Sequence, residues 1–155
     1  MRAIVGADED VPVVHTLAEE LRRRGYELRL VGPPGGTGEQ WPDVGQMVAR
    51  AVVSGEAEVG VACCWTGTGV SIAANKVPGA RAALCWDAET ARGARRWNDA
   101  NVLCLSLRWT SDALARDILA AYLDATAEDS ERENIARVSD GSSGKSNARA
   151  QRSHG

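Results

Sequence analysis

The residues best suited to chemistry lie together in one stretch, Cys63-Cys64-Trp65-Thr66-Gly67-Thr68-Gly69-Val70-Ser71-Ile72-Ala73-Ala74-Asn75-Lys76. An apolar run, Val59-Gly60-Val61-Ala62, feeds into a thiol. A Thr/Gly loop follows, and then a segment that reads as the start of a helix. In an open α/β sheet, ligands bind at the carboxyl ends of the strands, on exposed backbone N–H groups. A cysteine at that point can act as a base or a nucleophile. Taken alone, Cys64 also reads as a buried thiol at a strand end, which behaves as a small hydrophobe.

Such a stretch needs strands and helices to hold it, and the pattern alternates between them. Ala3 to Gly6 is a short apolar strand ending in Ala7-Asp8. Val14 to Arg24 has Leu17, Ala18 and Leu21 at helical spacing, with Gly25 as its stop. Glu27 to Val31 is a second strand, broken by Gly32-Pro33-Pro34-Gly35-Gly36, and this loop runs on to Trp41-Pro42. Asp43 starts a helix with Val44, Met47, Val48, Ala51 and Val52 on one face, ending at Ser54-Gly55. Further strands are expected over 58–64, 81–86 and 102–107. Helices are expected over 70–76 and 87–96, and from the Thr110-Ser111-Asp112 cap to about Ala125. Short apolar strands separated by helices predict an α/β fold with a five-stranded parallel sheet covered on both faces.

The chain has 155 residues, 44% hydrophobic and 25% charged, which predicts one soluble domain with a real core. No run approaches the roughly 18 apolar residues of a membrane span. The N-terminus turns acidic at Asp8, too soon for a signal peptide, so a cytoplasmic protein is expected. A net charge of −3 gives no nucleic-acid footprint. Three of the basic residues, Lys145, Arg149 and Arg152, fall after Asp140 with no acidic residue among them. Residues 139–155 are therefore expected to form a disordered basic tail behind a domain at 1–138. The cysteines Cys63, Cys64, Cys85 and Cys104 form no CxxC pair, and the histidines are His15 and His154. Neither a zinc site nor a disulfide framework is expected.

The stretch Cys64-x-Thr66-Gly67-x-Gly69-x-Ser71-Ile72-Ala73-Ala74-Asn75-Lys76-Val77-Pro78-Gly79-x-Arg81-Ala82-Ala83-Leu84-Cys85 resembles the type B ribose-5-phosphate isomerase and galactose-6-phosphate isomerase family. So do Glu56-Ala57, Ala91-Arg92 and Asn98-Asp99-Ala100-Asn101-Val102-Leu103. The resemblance spans roughly residues 1 to 138. It implies a Rossmann-like three-layer sandwich, a homodimer or tetramer with active sites shared between subunits, and aldose–ketose isomerisation without metal or cofactor. By that resemblance Cys64 is the base that takes the proton beside the carbonyl. An aldose–ketose shift moves one proton between adjacent carbons through an enediolate, so it needs one base and one oxyanion stabiliser. A thiolate serves if its pKa is lowered by N–H groups at a helix start. Thr66 is expected to hydrogen-bond the sulfur. The N–H groups of Gly67, Thr68, Gly69, Val70 and Ser71 are expected to form a nest for the enediolate.

The chain also departs from the family. Asp8 matches an aspartate that contacts sugar hydroxyls, but Glu9 stands where the family has a histidine near the phosphate. Trp97 replaces the histidine assigned to opening the furanose ring, a role indole cannot fill. Asn98, which helps bind the reacting oxygens, is kept. The family's phosphate clamp uses two arginines one helical turn apart. Here Arg137 matches one, Glu133 stands at the other, and Arg132 is adjacent. Arg108 matches an arginine that reaches the partner's site. Trp41 sits where a tyrosine lines the pocket, and Trp65 replaces the glycine after the cysteine. Indole faces stack on sugar rings, so Trp41, Trp65 and Trp97 read as a remodelled carbohydrate pocket, while Trp86 and Trp109 read as packing. Ribose 5-phosphate and ribulose 5-phosphate are the default pair. An isomerase of a different sugar, phosphorylated or not, and a non-catalytic sugar-binding descendant remain as alternatives.

Overall fold

The computed structural model describes residues 1–139. Five strands alternate with helices: β1 (Arg2–Ala7), α1 (Pro12–Arg23), β2 (Glu27–Val31), α2 (Trp41–Val53), β3 (Val59–Cys64), α3 (Thr68–Asn75), β4 (Ala82–Leu84), α4 (Ala88–Asn98), β5 (Val102–Ser106), α5 (Asp112–Leu123) and α6 (Arg132–Ser139). The expected tail falls outside the described residues except for Ser139, which closes α6. The sheet is wholly parallel, in the order β2-β1-β3-β5-β4.

Residue alternation along the strands divides the core in two. Ala3, Val5 and Ala7 of β1, Val59, Val61 and Cys63 of β3, and Leu103 and Leu105 of β5 meet α1, α4 and α5 on one face. Ile4, Ala62, Cys64, Val102 and Cys104 meet α2 and α3 on the other. The result is the expected three-layer α/β sandwich. Burying a side chain such as Leu103, Leu105 or Ile118, each 1% exposed or less, contributes about 1.5–3 kcal/mol. No helix among the described residues is long and apolar enough to cross a membrane.

Element ends differ from the sequence expectation at two places. α2 starts at Trp41 because Pro42 occupies its first turn, where a missing N–H costs nothing. β4 is only three residues long, since it is an edge strand paired with β5 alone. Its free side is closed by a side chain: Asn75 Nδ2 donates to Ala82 O at 2.9 Å, and Ala82 N donates to Asn75 Oδ1 at 2.9 Å. The Asn75 amide thus stands in for a neighbouring strand. Substituting Asn75→Ala removes both bonds and should cost about 1–3 kcal/mol. The urea midpoint is expected to fall with an unchanged slope; an unshifted midpoint would mean that water replaces the amide at no cost.

Candidate active site

The strand order reverses between β1 and β3, and there the two βα loops diverge to opposite faces and leave a crevice. Ala7 of β1 pairs with Cys63 of β3, so the next residues, Asp8 and Cys64, lie side by side, roughly 5 Å apart along the ladder direction. By alternation Cys64 belongs to the face covered by α2 and α3, and Asp8 follows the last paired residue of β1. Cys64 is the last residue of β3 and 4% exposed. Its carbonyl accepts from Gly67 N at 3.2 Å and Leu107 N at 2.9 Å, which fixes the strand end. Burial pushes the Cys63 and Cys104 thiols up, and the Cys85 thiol up to about 12, so these three stay protonated core residues.

The loop after Cys64 is held by close contacts. Gly67 has φ +75°, and a Cβ on it would sit 2.5 Å from Leu84 Cδ1 and 2.9 Å from Leu105 C. Only glycine fits. From there α3 begins at Thr68. The expected nest is narrower than five N–H groups, because Gly67 N donates to Cys64 O and Ser71 N to Gly67 O. Those of Thr68, Gly69 and Val70 make no bond among the described residues and form the open first turn of α3. Thr66 differs from expectation too: its Oγ1 lies 2.7 Å from Thr68 Oγ1, not on the sulfur. Two hydroxyls two residues apart on a tight turn satisfy each other first.

Trp41, at the start of α2, packs on this turn, since a Cβ on Gly69 would lie 2.8 Å from its Cε3. Trp65 is 57% exposed, beside Cys64. Glu9 is exposed next to Asp8. Asp8 Oδ1 is buried without a hydrogen-bond partner. Desolvation raises the Asp8 pKa above the usual carboxylate value, its own backbone N–H opposes this, and the charge of Glu9 adds to it.

Trp97 and Asn98 are elsewhere. They end α4, which runs antiparallel to the strands, and the next residues bond the entry to β4: Arg81 Nε donates to Asp99 O at 2.8 Å, and Arg81 N to Asn101 Oδ1 at 2.7 Å. Eleven helical residues place them about 16 Å below the Cys64 edge. Trp97 lies on its own helix, with a Cβ on Gly93 only 2.6 Å from its Cζ3. α6, with Arg132 and Arg137, packs against α4. Arg132 is held by Asp129 at 2.6 Å.

Trp86 and Trp109, expected as packing, are instead 56% and 64% exposed. With Thr66, Leu84, Cys85, Ser106 and Arg108 they line a cavity of about 220 Å³. Arg108 N donates to Trp65 O at 3.0 Å, so Arg108 stands at its own chain's Cys64 edge, and its guanidinium has no carboxylate partner among the described residues. The sequence carried a signal for this, because Trp65, Trp86 and Trp109 fall one, two and three residues past the ends of β3, β4 and β5. A larger cavity, about 630 Å³, lies between α4 and α5 and has Arg92, Arg96, Asp117 and Asp124 on its walls. It lacks a thiol and a free helix start, and the strand-end crevice has both.

The sequence model described as Ribose/Galactose Isomerase matches residues 3–140. The chain is 36% identical over 126 residues to a D-erythrulose-4-phosphate isomerase of Pectobacterium atrosepticum, covering 80% of this chain and 83% of that one. It is 38% identical over 122 residues to the galactose-6-phosphate isomerase subunit LacB of Clostridium acetobutylicum, covering 78% and 70%. The type B ribose 5-phosphate isomerase structure of Trypanosoma brucei superposes with a TM-score of 0.81 at 40% identity, over 89% of this chain and 96% of that one. The chain belongs to the ribose/galactose isomerase family. It is a sugar-phosphate isomerase.

The close approach at Gly67 predicts a local cost. Gly67→Ala should destabilise the chain by about 2 kcal/mol or more, from positive φ and overlap together. Gly36→Ala, also at positive φ (+79°) but with nothing within 4 Å, should cost about 1 kcal/mol. Thermal unfolding of both checks this, and equal losses would remove the argument from overlap.

Proposed function

We propose that the chain is a cofactor-independent aldose–ketose isomerase in which Cys64 is the base. The observation that carries this is the placement of Cys64 at the end of β3, beside Asp8 and next to the unbonded N–H groups of Thr68, Gly69 and Val70. The thiolate takes the proton from the carbon beside the carbonyl, and the electron pair moves into an enediolate. The α3 N–H groups hold the developing oxyanion. Cys64 then returns the proton to the neighbouring carbon, so nothing is consumed.

Trp97 and Asn98 lie at the opposite edge of the sheet from their own chain's Cys64. They reach a Cys64 only from a second subunit, which supports a homodimer or tetramer with shared sites. Asn98 then orients the sugar oxygens together with Asp8, while Trp41, Trp65 and Trp97 line the carbon chain. Glu9, exposed next to Asp8, would repel a phosphate dianion placed beside it. Arg108, unpaired at the Cys64 edge, and Arg137 on α6 are the cations for a phosphate, with Arg132 beside them once it leaves Asp129. The relatives named above act on sugar phosphates of four, five and six carbons. Ribose 5-phosphate and ribulose 5-phosphate are the default pair for this chain, which would set it in the cytoplasmic pentose phosphate pathway.

Deuterium tests the base directly. In deuterated water the wild-type chain should place deuterium on the carbon beside the carbonyl of an accepted sugar phosphate. Cys64→Ala should slow this by about 10²–10⁴-fold. Incorporation at the wild-type rate in Cys64→Ala would rule Cys64 out as the base.

A further inference from the structure

Sugar phosphates with a free hydroxyl at the right distance close into rings, and an enediolate forms only from the open chain. The site therefore needs a second proton-transfer group that acts on oxygen. Most side chains near Cys64 are already committed. Thr66 and Thr68 hold each other. Cys63, Cys85 and Cys104 are core thiols pushed up by burial. His15 is bonded to Asp10 at 2.5 Å on α1, which packs on the face away from Cys64. Tryptophan has a donor that does not titrate usefully.

Resting on the isomerase reading, we propose that Asp8 is the group that opens the sugar ring in this chain. Its Oδ1 is buried without a partner at the end of β1, beside Cys64. A buried carboxyl oxygen left unpaired is rare in a folded chain and points to a role outside packing. Its surroundings hold no cation against it among the described residues. Glu9 lies beside it. Cys63 and Cys64 come from β3. Asp43 is in the first turn of α2. Glu39 takes the N–H of Gly32, whose backbone abuts Ala7. Burial and the Glu9 charge both favour the protonated form, which brings the carboxyl closer to working as an acid as well as a base.

The step balances on one proton. Asp8 takes the proton of the anomeric hydroxyl. The bond between the anomeric carbon and the ring oxygen breaks as the carbonyl forms, and the electron pair stays on the ring oxygen. Asp8 returns the proton there and ends as it began. Both oxygens sit on the same carbon, so one carboxyl reaches both.

The test separates ring opening from isomerisation. Cys64→Ala enzyme is mixed with ribose 5-phosphate or galactose 6-phosphate, and exchange between the α and β anomers is followed by NMR. Cys64→Ala should speed this exchange at least tenfold over buffer with one of the two sugars. Adding Asp8→Asn should abolish the acceleration, and Asp8→Glu in the same background should restore part of it. No acceleration by Cys64→Ala with either sugar overturns the proposal. So does acceleration that survives Asp8→Asn, and so does identical behaviour of the Asn and Glu variants, which also covers loss of folding at this position. Failure of the Cys64 assignment has a different signature, carbon-bound deuterium entering the sugar in Cys64→Ala.

Discussion

The parallel pairing of β1 with β3 sets the position of the other parts of the site. Its register places Ala7 opposite Cys63, so the chain leaves the sheet at Asp8 and Cys64 together. A slip of one residue would turn Cys63 toward α2 and α3 and send Cys64 into the other half of the core. The side chains around the ladder resist such a slip. Gly6 and Gly60 admit Val31, Val44, Val48 and Val52 at distances no Cβ allows, so α2 packs directly on the backbone of both strands. The helix that locks the register is also the one that brings Trp41 over Gly69.

The geometry of a parallel sheet then separates the site into two parts. Strand ends and helix starts gather at one edge, and helix ends at the other. Cys64, Asp8, the first turn of α3 and Arg108 share the first edge, while Trp97 and Asn98 end α4 at the second. One rigid chain cannot fold these groups together without unwinding α4. On the proposed reading the proton-transfer half would come from one chain and Trp97 and Asn98 from a second. That reading would also give a role to the guanidinium of Arg108, which has no carboxylate partner among the described residues, where most other arginines do.

Much of this was legible in the sequence. The five strands, the cap at Ser111 and the glycine stop at Gly25 follow from local periodicity and backbone preference. Cys64 and the Thr/Gly loop stood out because a thiol, two glycines and a helix start fall in chemical order. What escaped were features set by contacts distant in sequence. α6 has little buried apolar surface of its own, so its period is weak. The Thr66–Thr68 pair depends on hydroxyl rotors, which spacing does not determine. Trp86 and Trp109 read as packing because large aromatics usually are, and their exposure goes with standing just past strand ends.

Trp97 shows how a departure in the site can be absorbed by the scaffold. An indole at the end of α4 has more surface than an imidazole, and on an exposed helix it must cover something or stand in water. Here it folds back over Gly93, one turn earlier, where a methyl group would lie within 3 Å of two ring atoms. Gly93 is costly inside a helix, by about 1 kcal/mol relative to alanine, so its presence is best explained by the ring it accommodates. The two residues work as a unit: the small one makes room, and the large one presents a flat, non-titrating face. On the proposed reading, proton chemistry in such a chain would fall to the thiol and the carboxyl at the first edge of the sheet.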